Sequence, residues 1–326
     1  MKKIVFLASI LIAAAFMFSA CSKQNSKASS KEPVQKVIIF NAGSLSYPLA
    51  KVKEAYKKLH PNVEIITEAA GSRMCARKIS DLGQKCDIMM SADYSVIDSL
   101  LMPKYATWDI KFATNQMSIV YTDKSKYASE INSSNWYKIL EKNNVICGHS
   151  NPNDDPCGYQ TLLMLKLASI YYNEPQLYSK VEAKHEKGEG IIRPKETDLL
   201  GLLDTGEIDY IFIYKSIAIQ HGLKYIQLPP EINLGSVAYD NYYRQASVNL
   251  SGKTPGTTIT KIGGPIIYGL TIPSNAPDNK AAVQFLEFFL GPEGQKIMKE
   301  SGQEPIIPYA ASNYANIPSS LKKFAK

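Results

Sequence analysis

The stretch Ser150-Asn-Pro-Asn-Asp-Asp-Pro-Cys-Gly-Tyr159, running on into Gln160-Thr-Leu-Leu-Met-Leu-Lys-Leu-Ala168, changes character at its midpoint. Two Pro, two Asn, two Asp and a Gly make the first half a loop. Apolar Leu162, Leu163, Leu165 and Leu167 make the second half a mostly buried helix. Asp155 falls at the N-cap and Pro156 at the first helical position, where a missing N–H costs nothing. The N–H groups of Cys157, Gly158 and Tyr159 then point out of the helix end, which the helix dipole makes a place for an anion. Helices that begin with Asp-Pro and hold no ligand are common, so the stretch gains its weight from two similar helix starts upstream.

Those two lie in successive strand–helix units. Lys36-Val-Ile-Ile-Phe40 reads as a buried strand ending at Asn41-Ala-Gly43, after which Ser44 is expected to cap a helix to about Leu59. Val63 to Thr67 is a second strand, followed by Gly71 and a helix expected to be capped by Ser72. Asp87-Ile-Met-Met90 is a third, leading through Ser91-Ala-Asp93 to a helix over 94–101. Strand, Gly or Ala, Ser, helix: the repeat predicts a parallel α/β sheet whose loops gather at the carboxyl edge, where such sheets bind ligands. A Ser hydroxyl there donates to an anion alongside the local N–H groups.

The N-terminus reads as an export signal. Lys2 and Lys3 precede an apolar run ending at Met17, too short for a membrane span, and Phe18-Ser-Ala-Cys21 resembles a bacterial lipobox. Cleavage before Cys21 and lipid on its sulfur are the expectation, with the polar segment from Ser22 to Pro33 as a flexible tether. Losing Lys2 and Lys3 lowers the net charge from +7 to +5, leaving 35 basic against 30 acidic residues. No dense basic run with interleaved aromatics suggests nucleic acid. Cys75, Cys86, Cys147 and Cys157 allow two disulfides in three connectivities, or four buried thiols. With no Cys-x-x-Cys and with His60, His149, His185 and His221 scattered, a His-centred metal site is not expected.

A strand over Gln116–Thr122 leaves the first lobe for a second. There, a helix from Trp136 to Lys142, a strand over Val145–Cys147, the Asp155 helix, a helix over Lys195–Leu203, the strand Tyr210–Tyr214 and a helix to His221 follow in turn. Ser236 to Lys261, rich in Tyr, Ser, Thr and Gly, suggests edge strands and turns. Ile266–Ile272 returns the chain, and helices over 279–290 and 292–301 are expected to pack on the first lobe.

An exported chain of two α/β lobes joined by two crossings resembles the type II solute-binding proteins of ABC importers. Asn41-Ala-Gly-Ser-Leu45, Ala70-Gly-Ser72, Asp87-Ile-Met-Met-Ser-Ala-Asp93, Asp154-Asp-Pro-Cys-Gly-Tyr159, Gly206-Glu-Ile-Asp-Tyr-Ile-Phe-Ile-Tyr-Lys-Ser216 and Leu228-Pro-Pro-Glu-Ile-Asn-Leu234 resemble the tungstate/molybdate-binding WtpA/ModA-like subfamily. The resemblance implies a type II periplasmic-binding-protein fold with the ligand cleft between the lobes. It divides the chain into a lipoprotein signal and lipidated Cys (1–21), a tether (22–34), lobe 1 (35–117 and 269–326) and lobe 2 (118–268). It further implies a monomer outside the cytoplasm, tied to a membrane through Cys21, that captures tungstate or molybdate as ligand, needs no cofactor, and serves an ABC permease and its ATPase.

Carried over by position, Gly43, Ser44 and Ser72 would hold the oxyanion from lobe 1. Asp155, Pro156 and Cys157 would face it from lobe 2, with Tyr239 contributing. Some archaeal members place a second carboxylate in the strand before Tyr-Lys-Ser, giving the metal six-fold coordination. The corresponding position here is Ile213, which cannot ligate, and that departure leaves tetrahedral and six-fold coordination both open. Asp155 then stays open between an N-cap turned to its own helix and a direct ligand of the metal. Other readings are the same fold around sulfate, phosphate or an organic acid, a tethered sensor that feeds no transporter, or an enzyme with Cys157 as nucleophile and His149 as base.

Overall fold

The computed structural model describes residues 34–326; the lipobox and most of the tether lie outside the described residues. Strand β1 (Gln35–Ala42) is buried at Val37, Ile39 and its last residues, and lies between β2 (Val63–Ala70) and β3 (Ile88–Ser91), parallel to both. The register sets Ala42 level with Ala70 and Asn41 level with Met90. Gly43, Gly71 and Ala92 therefore leave the sheet at one edge, as the repeat predicts. β4 (Asp109–Thr114) belongs to the same sheet and leads directly to β5 (Met117–Tyr121) in a second one.

That second sheet adds β6 (Cys147–Ser150), β7 (Ile191–Arg193), β8 (Tyr210–Tyr214) and β9 (Lys224–Ile226) in the order β7-β6-β8-β5-β9. β6 begins later than the sequence suggests. Gly148, His149 and Ser150 lie beyond the expected strand, yet they are buried and paired with β7. The Tyr/Ser/Thr-rich segment forms an antiparallel hairpin, β10 (Ser247–Ser251) with β11 (Thr258–Ile262). The chain then returns through β12 (Ile267–Thr271), and β13 (Glu304–Ser312) completes the first sheet as β13-β4-β12-β3-β1-β2.

The helices Asn279–Phe289 and Pro292–Glu300 pack on the first lobe, as expected. Phe285 meets Tyr56 edge-on at 5.2 Å and Phe289 meets Phe112 at 5.3 Å, geometries favoured by ring quadrupoles. In the second lobe Trp136, Leu163, Leu165, Leu167 and Phe212 are buried together around the helix Pro156–Tyr171. A fully buried side chain of this size contributes about 1.5–3 kcal/mol. Among the described residues no helix is long and apolar enough to cross a membrane.

Hydrogen bonds at the two crossings tie the sheets together. Asn115, between β4 and β5, donates through Nδ2 to Ser216 Oγ at 2.8 Å and to Tyr268 OH at 2.9 Å. Ile266, just before β12, donates its N–H to Leu234 O at 2.8 Å.

Candidate functional site

The parallel pairing of β6 with β7 sets Ser150 beside Arg193. The loops that follow these strands leave the sheet side by side and bring Asp155 against Glu196. Asp155 is the N-cap: its Oδ1 accepts the Cys157 N–H at 3.2 Å, and its Oδ2 accepts the Glu196 N–H at 2.9 Å. The Gly158 N–H is taken by the Asp155 carbonyl at 3.1 Å. Two of the three amides expected to be open at this helix start are therefore satisfied from within.

Glu196, in the tight turn Glu196–Leu199, is the residue the sequence reading missed. Its side chain is fully buried and neither carboxylate oxygen has a hydrogen-bond partner. Across the cleft it meets Gly43, whose place would admit no side chain: a Cβ there would lie 2.8 Å from Glu196 Oε2. Burial, and then the Asp155 carboxylate, push Glu196 well above the usual carboxyl range. Burial likewise pushes Asp155 up. Two carboxyl groups in a dry site do not both ionise readily.

Ile213 is buried in the core of β8, and the carboxylate that stands beside Asp155 belongs to another element, the turn that begins at Glu196. The sequence carried a signal for it only as Arg193-Pro-Lys-Glu196, a short polar run that reads as a helix start.

The serines also act differently from expectation. Ser44 lies inside the tight turn Gly43–Leu45 and caps nothing; its Oγ pairs with Tyr268 OH at 2.8 Å. Tyr268 OH also accepts from Asn115, and either hydroxyl of the Ser44–Tyr268 pair can be the donor. Ser72 is the first residue of its helix, not the cap, and its Oγ accepts the Ala92 N–H at 3.0 Å. Both are fully buried. Pro156 occupies the first helical turn as expected. Tyr239 is half-buried in the turn Val237–Tyr239 and stacks on Tyr243 at 6.3 Å, its described partner in place of the carboxylates. The buried phenol nearer to Asp155 is Tyr214, whose hydroxyl has no partner.

All four described cysteines are free and buried. Burial raises Cys75 and Cys147 to about 12 and Cys157 well above the thiol range, the reverse of an activated nucleophile. Cys157 Sγ faces the Phe212 carbonyl at 3.8 Å, and His149 turns to other partners.

The lobes are closed on one another around these groups. The Arg73 and Met74 N–H groups, at the start of the helix Ser72–Ser80, donate to the Asp154 carbonyl at 3.0 and 3.1 Å. A Cβ on Gly71 would come within 2.3 Å of that same oxygen. Arg73, 2% exposed, adds Nε to Asn153 O at 3.0 Å. On the other flank, Asp93 receives Tyr159 OH at 2.7 Å and Lys261 Nζ at 2.6 Å. Burial works against the Asp93 charge, but Lys261 and the hydrogen bonds outweigh it and hold the carboxyl below its usual range.

Two α/β lobes joined by two crossings and meeting over a dry polar site define a protein that captures a small solute between them. The chain belongs to the bacterial extracellular solute-binding protein family, whose model matches residues 37–304. It is 48% identical over 291 residues to a solute-binding protein of Petrotoga mobilis, covering 89% of this chain and 90% of that one. It is 38% identical to the molybdate/tungstate-binding protein WtpA of Thermococcus kodakarensis, over 99% of this chain and 96% of that protein. Its fold matches the periplasmic molybdate-binding protein of Azotobacter vinelandii with a TM-score of 0.61 at 16% identity, covering 83% of this chain and 99% of the other. The architecture is the type II periplasmic-binding-protein fold.

Proposed function

We propose that this chain is the extracytoplasmic receptor of an ABC importer and captures tungstate or molybdate between its lobes. In this reading one lobe spans 35–117 and 269–326 and the other 118–268. The lipid on Cys21 holds the receptor at the membrane, and a permease with its ATPase takes the cargo. The likeness to WtpA supports the ligand class.

The observation that carries the reading is the pair Asp155 and Glu196, buried together with the Glu196 oxygens unpartnered. Carboxylates repel an anion whose centre cannot bond them, as in sulfate. Tungsten and molybdenum accept further oxygen ligands, so each carboxylate gives one oxygen to the metal and the repulsion becomes a bond. Four oxo groups and two carboxylate oxygens make six-fold coordination. The Ser44 and Ser72 hydroxyls donate to the oxo groups. Charge-assisted hydrogen bonds of this kind contribute about 1.5–3 kcal/mol each.

Calorimetric titration of the chain against tungstate, molybdate, sulfate and phosphate tests the ligand, and X-ray absorption at the tungsten edge tests the coordination. One tight site for the first two and six oxygen neighbours are expected. Equal binding of sulfate or phosphate would replace the metal oxyanion with a simple anion, and four oxygen neighbours would remove the carboxylates from the metal.

A further inference from the structure

A second cluster of metal-ligating side chains stands apart from the cleft. On β6, successive side chains alternate between faces, so His149 points away from the face that Ser150 presents. Helix Leu177–Glu186 packs against that far side, with Glu182 and His185 one turn apart on its inner surface. The His149 side chain is 0% exposed, that of His185 1% and that of Glu182 19%.

Their donor atoms converge. His149 Nδ1 lies 2.7 Å from the Ser150 carbonyl oxygen. Only an N–H can bond a carbonyl, so Nδ1 is the donor there and Nε2 is the ring nitrogen turned to the cluster. This Nε2 lies 3.6 Å from Glu182 Oε2, and His185 Nδ1 lies 4.0 Å from the same oxygen. The rings stand edge-to-face at 4.4 Å. His149 Nε2, both His185 ring nitrogens and Glu182 Oε2 are buried without a hydrogen-bond partner. Four unpartnered polar atoms in one buried spot are costly, each by about 1–3 kcal/mol, unless something satisfies them.

We infer that His149, Glu182 and His185 bind one divalent first-row transition-metal ion of the zinc class, at a site separate from the oxyanion cleft. The ligand atoms lie within 4.8 Å of one another. Bonds of 2.0–2.2 Å to a tetrahedral ion put its ligands roughly 3.4 Å apart, so the side chains draw in by about 1 Å on binding. Two imidazoles and a carboxylate leave a fourth position for water, on the partly exposed Glu182 side. The Ser150 carbonyl is the outer partner that orients the His149 ring, as metal-bound imidazoles require. The ion staples helix Leu177–Glu186 to β6, next to the loop that carries Asp155.

The test is Co2+ titration of the full-length chain saturated with tungstate, which occupies Asp155 and Glu196. One equivalent is expected to give the intense visible bands of tetrahedral cobalt, bleached by Zn2+ but not by Mg2+. Glu182→Gln and His185→Asn are each expected to weaken Co2+ binding by about 100-fold or more, with tungstate binding retained. Should either variant fold poorly, the wild-type melting temperature still decides: it is expected to rise with Zn2+ and not with Mg2+. Absence of the bands at one equivalent, bands unchanged in the variants, or a melting temperature indifferent to Zn2+ would each overturn the site.

Discussion

The backbone N–H of Glu196 donates to Asp155 Oδ2 at 2.9 Å, while the Cys157 N–H holds Oδ1 at 3.2 Å. Asp155 thus caps its own helix and fixes the neighbouring turn in one stroke. Cap and ligand are compatible roles, because each carboxylate oxygen has a second lone pair.

Substitutions at Asp155 separate these roles. Asn keeps the cap on the Cys157 N–H but sets its NH2 against the buried Glu196 N–H, so Asp155→Asn is expected to lose about 1–3 kcal/mol of stability and tungstate affinity by more than about tenfold. Asp155→Ala is expected to lose the affinity and, with the cap bond gone too, about 1 kcal/mol more stability than the Asn variant. Calorimetry and thermal melts on the two variants read both effects. Full affinity in the Asn variant would mean that no carboxylate oxygen of Asp155 reaches the metal.

Glu196 makes the ligand-free protein sensitive to pH. Its folded-state pKa is raised by burial and by Asp155, so its contribution is fully present below the unfolded value of about 4.3. It is lost as pH rises through the folded value. Melting temperature of the ligand-free chain is expected to fall as pH rises above about 4.3 on this account, and Glu196→Gln is expected to flatten that slope, raise stability at higher pH and abolish tight tungstate binding. A slope unchanged by the substitution would contradict the buried, proton-holding state of this side chain.

Closure should be breakable at a single glycine. A Cβ on Gly71 would meet the Asp154 carbonyl oxygen at 2.3 Å, and that atom is backbone of the opposite lobe. Gly71→Ala is expected to leave the melting temperature of the ligand-free chain near wild type, to hold the lobes apart in small-angle scattering, and to weaken tungstate by at least about tenfold, or about 1.4 kcal/mol. Unaltered affinity would show that the contact yields without parting the lobes.

The opposite flank depends on charge. Lys261→Met leaves Asp93, 3% exposed, with Tyr159 but without its counter-ion. Leaving a buried charge uncompensated costs about 3–5 kcal/mol, less what Lys261 forfeits by its own partial exposure, so tungstate binding is expected to weaken by one to two orders of magnitude. Because the Asp93 carboxyl is depressed in the closed form, the wild-type latch is present above about pH 4 and fails as pH falls below it. Affinity measured at about pH 3.5 and about pH 7 in the two proteins checks this: the difference between them is expected to shrink at the lower pH.

Local signals were enough for the first lobe and for the helix start at Asp155. Apolar runs ending in small residues marked the strands, and Asp-Pro marked the cap, because each depends on neighbours within a few positions. The serine roles were misread for the same reason. Ser is a favoured N-cap anywhere a strand turns into a helix, and only the tertiary structure could turn Ser44 towards Tyr268 and Ser72 towards the Ala92 amide. The strand runs on to Ser150 past its expected end at Cys147, because polar residues in a strand are intelligible only once their partners are known.

By itself, then, the sequence determined the alternation of strands and helices, the edge at which their loops gather, and the Asp155 cap, all set by local pattern and backbone chemistry. Three-dimensional packing alone decided the rest. The parallel register of β6 and β7 joined Asp155 to Glu196 across forty-one positions of chain. Closure brought Asp93 to Lys261, and Arg73 to Asn153. Helix packing gathered His149, Glu182 and His185 from histidines that look scattered along the chain. Side chains far apart in sequence carry no mark of one another until burial brings them together and removes the water that would otherwise satisfy each of them.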